Sequence, residues 1–194
     1  GSQGDIGALA LVLLADGSIL ASAGQYRNQV FRFAPEGGRS TTPLFEFESA
    51  VLDMALDAVG QLWVLTGAEL LLVDATSAAV IQRHRGPGDD PLTHALAIAP
   101  NGLIYVASGN GVEIFDPKAT EATRAWKHFS NTRVGDLAFG PDGRLWGVRW
   151  TGSDVPGGDP AASTEIVSFP MSGRLVGRAE VEYRLQGVVD SIAF

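Results

Sequence analysis

A chain of 194 residues with 45% apolar content is long enough to bury a substantial core, and 24 Gly with 10 Pro suit a turn-rich globular protein rather than a disordered one. The net charge of −8 argues against nucleic acid as a partner, because its binders gather Lys and Arg on one face, and it disfavours anionic lipid for the same reason. The absence of Cys removes disulfides, zinc–thiolate centres and thiol nucleophiles, and the longest apolar run, Ala8 to Ala15, is far short of the roughly 20 residues of a membrane span.

Residues 1–7 read as an expression remnant and lead-in, beginning Gly1-Ser2. A repeated unit follows. Its first copy, residues 8–49, turns at Asp16-Gly17, and its second, 50–90, at Val59-Gly60. The third, 91–132, contains the cleanest version, THALAIAPNGLIYVASGNGVEIFDP from Thr93 to Pro117, which reads as strand, tight Asn101-Gly102 turn, strand, short loop, strand. The fourth, 133–186, runs VGDLAFGPDGRLWGVRW through Asp142-Gly143 and carries an insertion over 149–164. Residues 187–194 include VVDSIAF, which matches RVGDLAF and reads as the first strand of a further copy. Successive turn glycines lie 43, 42 and 41 residues apart. A period near 42 with four period-2 strands per unit predicts an all-β protein of β-propeller blades, about four plus one inner strand, forming part of a larger ring completed by the same or a second chain. Three residues past each turn glycine stand Leu20, Trp63, Tyr105 and Trp146, the expected packing layer between blades.

The Thr93–Pro117 stretch and VGDLAFGPDGRLWGV resemble the NHL, gluconolactonase-like and streptogramin-lyase-like group of propellers, whose blades begin with similar apolar-(D/P)-G-x-(I/L)-(W/Y)-V runs. The resemblance covers nearly the whole chain and implies the fold. It implies no single activity, because propellers host many. The metal-ligand pattern of the gluconolactonase-like enzymes and the paired histidines of the streptogramin lyases are not recognisable.

In such blades, first-to-second and third-to-fourth strand turns share one face, and second-to-third loops with the blade connections share the other. The first face carries short uniform turns. The second carries the irregular segments, Gly24 to Asn28, GPGDDPLT from Gly86 to Thr93, and RWTGSDVPGGDPAAST from Arg149 to Thr164, and is where a ligand is expected. Asp89, Asp90, Asp154 and Asp159 in these loops are hard oxygen donors that would suit Ca²⁺, although Asp and Gly are equally the residues of solvated turns. Arg149 and Trp150 could offer a stacking surface or simply end a strand. Seven residues before the turn glycine stand Asp53 and Asp136, with Ser191 at the fifth copy and His94 one place earlier in the third. Carboxylates, His and Ser on one channel could hold a metal and activate water, but an Asp at a strand start more often caps backbone amides. His84 and His128 fall on predicted fourth strands.

The sequence therefore points to a non-catalytic binding module of a larger secreted or cell-surface bacterial protein, adhesin-like, taking a protein or carbohydrate ligand, with Ca²⁺ the one cofactor suggested. The alternatives are a metal-dependent lactonase or lyase and a half-propeller that closes its ring by homodimerisation.

Overall fold

The computed structural model describes residues 10–23, 28–87, 92–120, 125–151, 163–170, 179–186 and 191–194, with the side chains of 92–94, 151 and 186 left aside. The repeat turn fixes the local geometry. At Gly17, Gly60, Gly102 and Gly143 the backbone has φ between 76° and 87°, and no neighbouring Asp or Asn shares that conformation. In the third copy Gly102 N donates to Ala99 O and Ala99 N to Leu103 O, both at 2.8 Å. The loop is thus three residues with the glycine in the left-handed position, not the two-residue turn the Asn101-Gly102 pair suggests. The first and second copies close in the same way without a proline, Gly17 N donating to Leu14 O and Gly60 N to Asp57 O, so the geometry belongs to the glycine in the last loop position.

Sixteen strands result and, among the described residues, no helix. The N-terminal compact unit, residues 1–86, holds blade 1, made of β1 (Leu11–Leu13), β2 (Ile19–Ala23), β3 (Gln29–Phe33) and β4 (Phe45–Glu46), and blade 2, made of β5 (Val51–Leu56), β6 (Leu62–Thr66), β7 (Glu69–Asp74) and β8 (Ala79–Arg85). The C-terminal unit, residues 87–194, holds blade 3, with β9 (Leu92–Ile98), β10 (Ile104–Ser108), β11 (Gly111–Phe115) and β12 (Trp126–Ser130), and blade 4, with β13 (Asp136–Phe139), β14 (Leu145–Thr151), β15 (Ser163–Phe169) and β16 (Glu180–Gln186). Each blade is a four-stranded antiparallel meander in sequence order.

Each unit has one apolar core, and the two are built alike. In the N-terminal unit Val12, Leu20, Val30 and Phe45 of blade 1 pack with Met54, Leu62, Val64 and Leu71 of blade 2. In the C-terminal unit Ala97, Tyr105, Ile114 and Phe129 of blade 3 pack with Leu137, Leu145, Val167 and Phe169 of blade 4. One blade always contributes the position three past its turn glycine and the next blade the positions six before and two past its own. Small Ala residues on β9 leave room for the ring of Tyr105, which meets Phe129 and Phe139 edge-on at 5.2 and 5.4 Å. Leu62 and Leu145 are fully buried, each contributing about 1.5–3 kcal/mol of transfer free energy.

A second regularity concerns charge. The third strand places a carboxylate beside a basic side chain on the fourth in three blades: Glu69 with Arg83, Glu113 with His128, and Glu165 with Arg184. These pairs bind the outer strands of those three blades through side chains as well as through their ladders.

Candidate functional site

The face carrying the second-to-third-strand loops and blade connections contains a cleft of about 550 Å³ in the N-terminal unit. One wall is the connection between blades 1 and 2, with Glu46, Glu48 and Ser49, and the other is the β6–β7 hairpin and the end of β8, with Glu69, Arg83 and Arg85. Phe47, Leu71 and Val80 make its apolar floor. Glu46 and Glu48 alternate along the chain and share a side, as do Arg83 and Arg85. Arg83 Nη1 donates to Glu69 Oε2 at 2.8 Å, while Glu46, Glu48 and Arg85 are exposed and take part in no ion pair among the described residues. The cleft therefore offers free charges of both signs over an apolar base, a surface suited to an extended polar ligand rather than a small apolar one.

A second hollow of about 470 Å³ lies on the opposite face, at the blade 1 turns. Two of its charges are paired, Arg32 donating to Asp16 and, at 3.0 Å, to the Ser18 hydroxyl, and Arg39 lies over the Phe31 ring, while Glu36 takes part in no ion pair among the described residues. Hydrogen bonds from the Ser18 hydroxyl and amide, with the Arg32 guanidinium beside them, hold the Asp16 carboxyl below its usual range.

The residues singled out from the sequence fall into three groups. Asp89, Asp90, Asp154 and Asp159 lie outside the described residues, as does the His94 side chain, although its backbone belongs to β9. Asp136, at the start of β13, spends both oxygens on backbone amides: Oδ1 accepts from Leu137 N at 2.8 Å and Oδ2 from Ile192 N at 2.7 Å. Burial pushes its pKa up, against the pull of those two amides. Asp53 accepts from Met54 N at 2.8 Å in the same way. Ser191 is exposed beside the amide that Asp136 holds. Arg149 and Trp150 belong to β14, facing Glu165 and Thr164 across the ladder. The Arg149 guanidinium grips Glu165, with Nε at 2.8 Å from Oε2, and Arg184 Nε holds the other oxygen at 3.0 Å. Glu165 is 6% exposed and its pKa is held down, chiefly by the hydrogen bonds from Arg149. Trp150 lies over Gly135, where a Cβ would stand 2.1 Å from its ring.

The cleft residues were missed by sequence reasoning, but their signal is there. FEFES and QRHRG alternate charge with apolar or polar residues where a blade ends, so each run lines up like-side charges beside a connection.

No family model matches the chain and no curated protein matches it. Solved structures do. A streptogramin B lyase superposes with a TM-score of 0.60 at 16% identity, over 93% of this chain and 55% of that one. The virginiamycin B lyase of Staphylococcus aureus gives 0.56 at 14% identity, over 91% and 59%. The fold is a β-propeller. The extracellular domain of a hybrid two component system from B. thetaiotaomicron gives 0.59 at 16% identity, over 91% of this chain and 23% of that one. At these identities the likeness is one of fold alone, and the chain spans little more than half the length of these two lyase structures.

Proposed function

We propose that this propeller segment is a non-catalytic binding module whose ligand, a protein segment or a carbohydrate, is taken on the face of the blade connections. The observation that carries the reading is the cleft between blades 1 and 2, where Glu46, Glu48 and Arg85 stand uncommitted over an apolar floor. Charged groups without partners on a rigid scaffold favour a ligand that supplies the partners. The lyase alternative is disfavoured by Asp136, whose two oxygens are occupied by the Leu137 and Ile192 amides. A secreted or cell-surface setting agrees with the extracellular domain among the structural neighbours. Ca²⁺ is proposed for the acidic loops bearing Asp89, Asp90, Asp154 and Asp159, and calorimetric titration of the wild type against a variant with all four changed to Asn tests it.

Glycan and peptide arrays probed with the wild type and with a Glu46→Lys/Glu48→Lys variant test the main reading. Binders lost on charge reversal support it. Binders equally retained by both proteins would place the ligand elsewhere, and turnover of a lactone panel abolished by Asp136→Ala would replace the reading with catalysis.

A further inference from the structure

The polar groups of the N-terminal cleft differ in what they have left to offer a ligand. The Thr66 hydroxyl donates to Glu69 O at 3.1 Å and accepts from the Ala68 and Glu69 amides at 3.4 and 3.0 Å, which fills its capacity. Glu69 stands opposite Arg85 in the β7–β8 ladder yet holds Arg83 instead, at 2.8 Å. One carboxylate thus faces two arginines, and the charge of Arg85 is left over. On the other wall Glu46 and Glu48 have no cation, and none of these three charges comes within ion-pairing distance of another.

The complement of two free carboxylates and one free guanidinium is two cations and one anion. A neutral glycan brings no charge to any of them, and the one ring lining the cleft, Phe47, is 8% exposed and stacked on Phe45, so it is floor rather than platform. A lone divalent cation is no better served: among the described residues no three His, Cys, Asp or Glu side chains gather to hold one. An extended polypeptide does fit. Its alternate side chains point the same way about 6–7 Å apart, the spacing of Glu46 and Glu48 along their own run of chain, and the side chains between them point to the opposite wall, where Arg85 stands. The net charge of −8 draws a cationic ligand in.

We infer that the cleft takes an extended polypeptide segment with two basic side chains two residues apart, set against Glu46 and Glu48, and an acidic side chain at an odd separation from them, set against Arg85. This rests on the reading of the cleft as the binding site and narrows its ligand from protein or carbohydrate to a cationic strand.

Capped octapeptides on a threonine–valine background test the inference on the intact chain by fluorescence anisotropy, beside a neutral glucose oligomer and a glucosamine oligomer. They carry two lysines one, two or three residues apart, and the two-apart set also carries one glutamate at an odd or an even separation. Lysines two apart are expected to bind about fivefold tighter than the other spacings, and the odd glutamate about fivefold tighter than the even one, each the upper end for an exposed ion pair. Affinity should fall as salt rises from about 50 to 300 mM. Arg85→Glu should lose the glutamate's factor and regain it when lysine replaces that glutamate, a rescue that a misfolded variant does not give. Equal affinity at all spacings, no peptide binding up to about 1 mM, or binding of either sugar oligomer alone that is lost in Glu46→Lys/Glu48→Lys would overturn the inference while leaving the cleft as the site. Peptide binding unchanged in Glu46→Lys/Glu48→Lys and in Arg85→Glu would overturn both readings.

Discussion

Replacing Arg149 with Ala tests whether the charged girdle of blade 4 holds the fold as the geometry requires. Glu165 is 6% exposed, so its carboxylate has lost nearly all its water and depends on protein donors. Arg149, 35% exposed, supplies two of them to one oxygen, and Arg184, 75% exposed, supplies one to the other. Hydrogen bonds to a charged group contribute about 1.5–3 kcal/mol each when shielded, and breaking a fully buried pair costs about 3–5 kcal/mol. The partial exposure of Arg149 discounts the upper figure, giving an expected loss of about 2–3 kcal/mol for Arg149→Ala. Arg184→Ala, which removes a largely solvated partner, should cost less than about 1 kcal/mol. Urea unfolding followed by tryptophan fluorescence reads both. The sign with pH follows from the depressed pKa of Glu165: its stabilisation is present above the unfolded carboxyl pKa and is lost as pH falls through the lower folded value. Arg149→Ala should therefore flatten the acid limb of the stability profile. Equal costs for the two arginines, or an acid limb unchanged in Arg149→Ala, would refute the reasoning.

Other consequences follow from single residues. Asp136→Ala removes the acceptor of the Leu137 and Ile192 amides, so hydrogen exchange at Ile192 should accelerate while amides of the Leu145 and Val167 core keep their protection. His128, hydrogen-bonded through Nδ1 to Glu113 at 2.8 Å and through Nε2 to Asn131 at 2.9 Å, has its pKa raised, first by the Glu113 bond. That contribution to stability is complete below the unfolded His pKa and is lost as pH rises through the higher folded value. Glu113→Gln should remove this alkaline loss, and NMR titration of His128 should show its pKa falling. Ala78 holds φ at 58° in the β7–β8 turn, a conformation that costs a non-glycine residue about 1 kcal/mol. Ala78→Gly should therefore raise the urea midpoint slightly, and a lowered midpoint would show that chain entropy outweighs the relief.

The repeat was legible because each blade spends its glycine at the same corner, so spacing alone located Gly17, Gly60, Gly102 and Gly143 and the strands between them. The interface pattern was legible as alternation, with Leu20 and Tyr105 buried where a packing layer was expected. The two-residue turn was misread because an Asn-Gly pair suits a three-residue loop with glycine last as well, and only the bond between Ala99 and Leu103, made alike at Leu14 and Ser18, shows that the residue before the pair belongs to the loop. Sites were harder. A lone Asp at a strand start looks the same whether it binds a metal or an amide, and only the 2.7 Å contact between Asp136 and Ile192, 56 residues away in sequence, distinguishes them. Arg149 looked like a ligand group because Glu165, its partner, lies across an insertion. The cleft depends on the ends of β4 and β8 meeting the β6–β7 hairpin, which no local window contains.

The central claim is that ligand is taken in the cleft of the N-terminal unit, and calorimetry with the strongest array binder tests it most directly. Glu46→Lys/Glu48→Lys should weaken binding at least about tenfold, the equivalent of one lost charge-assisted contact, while Val59→Lys, at an exposed turn on the opposite face, should leave it unchanged. Affinity that survives the double change and falls with Val59→Lys would contradict the account.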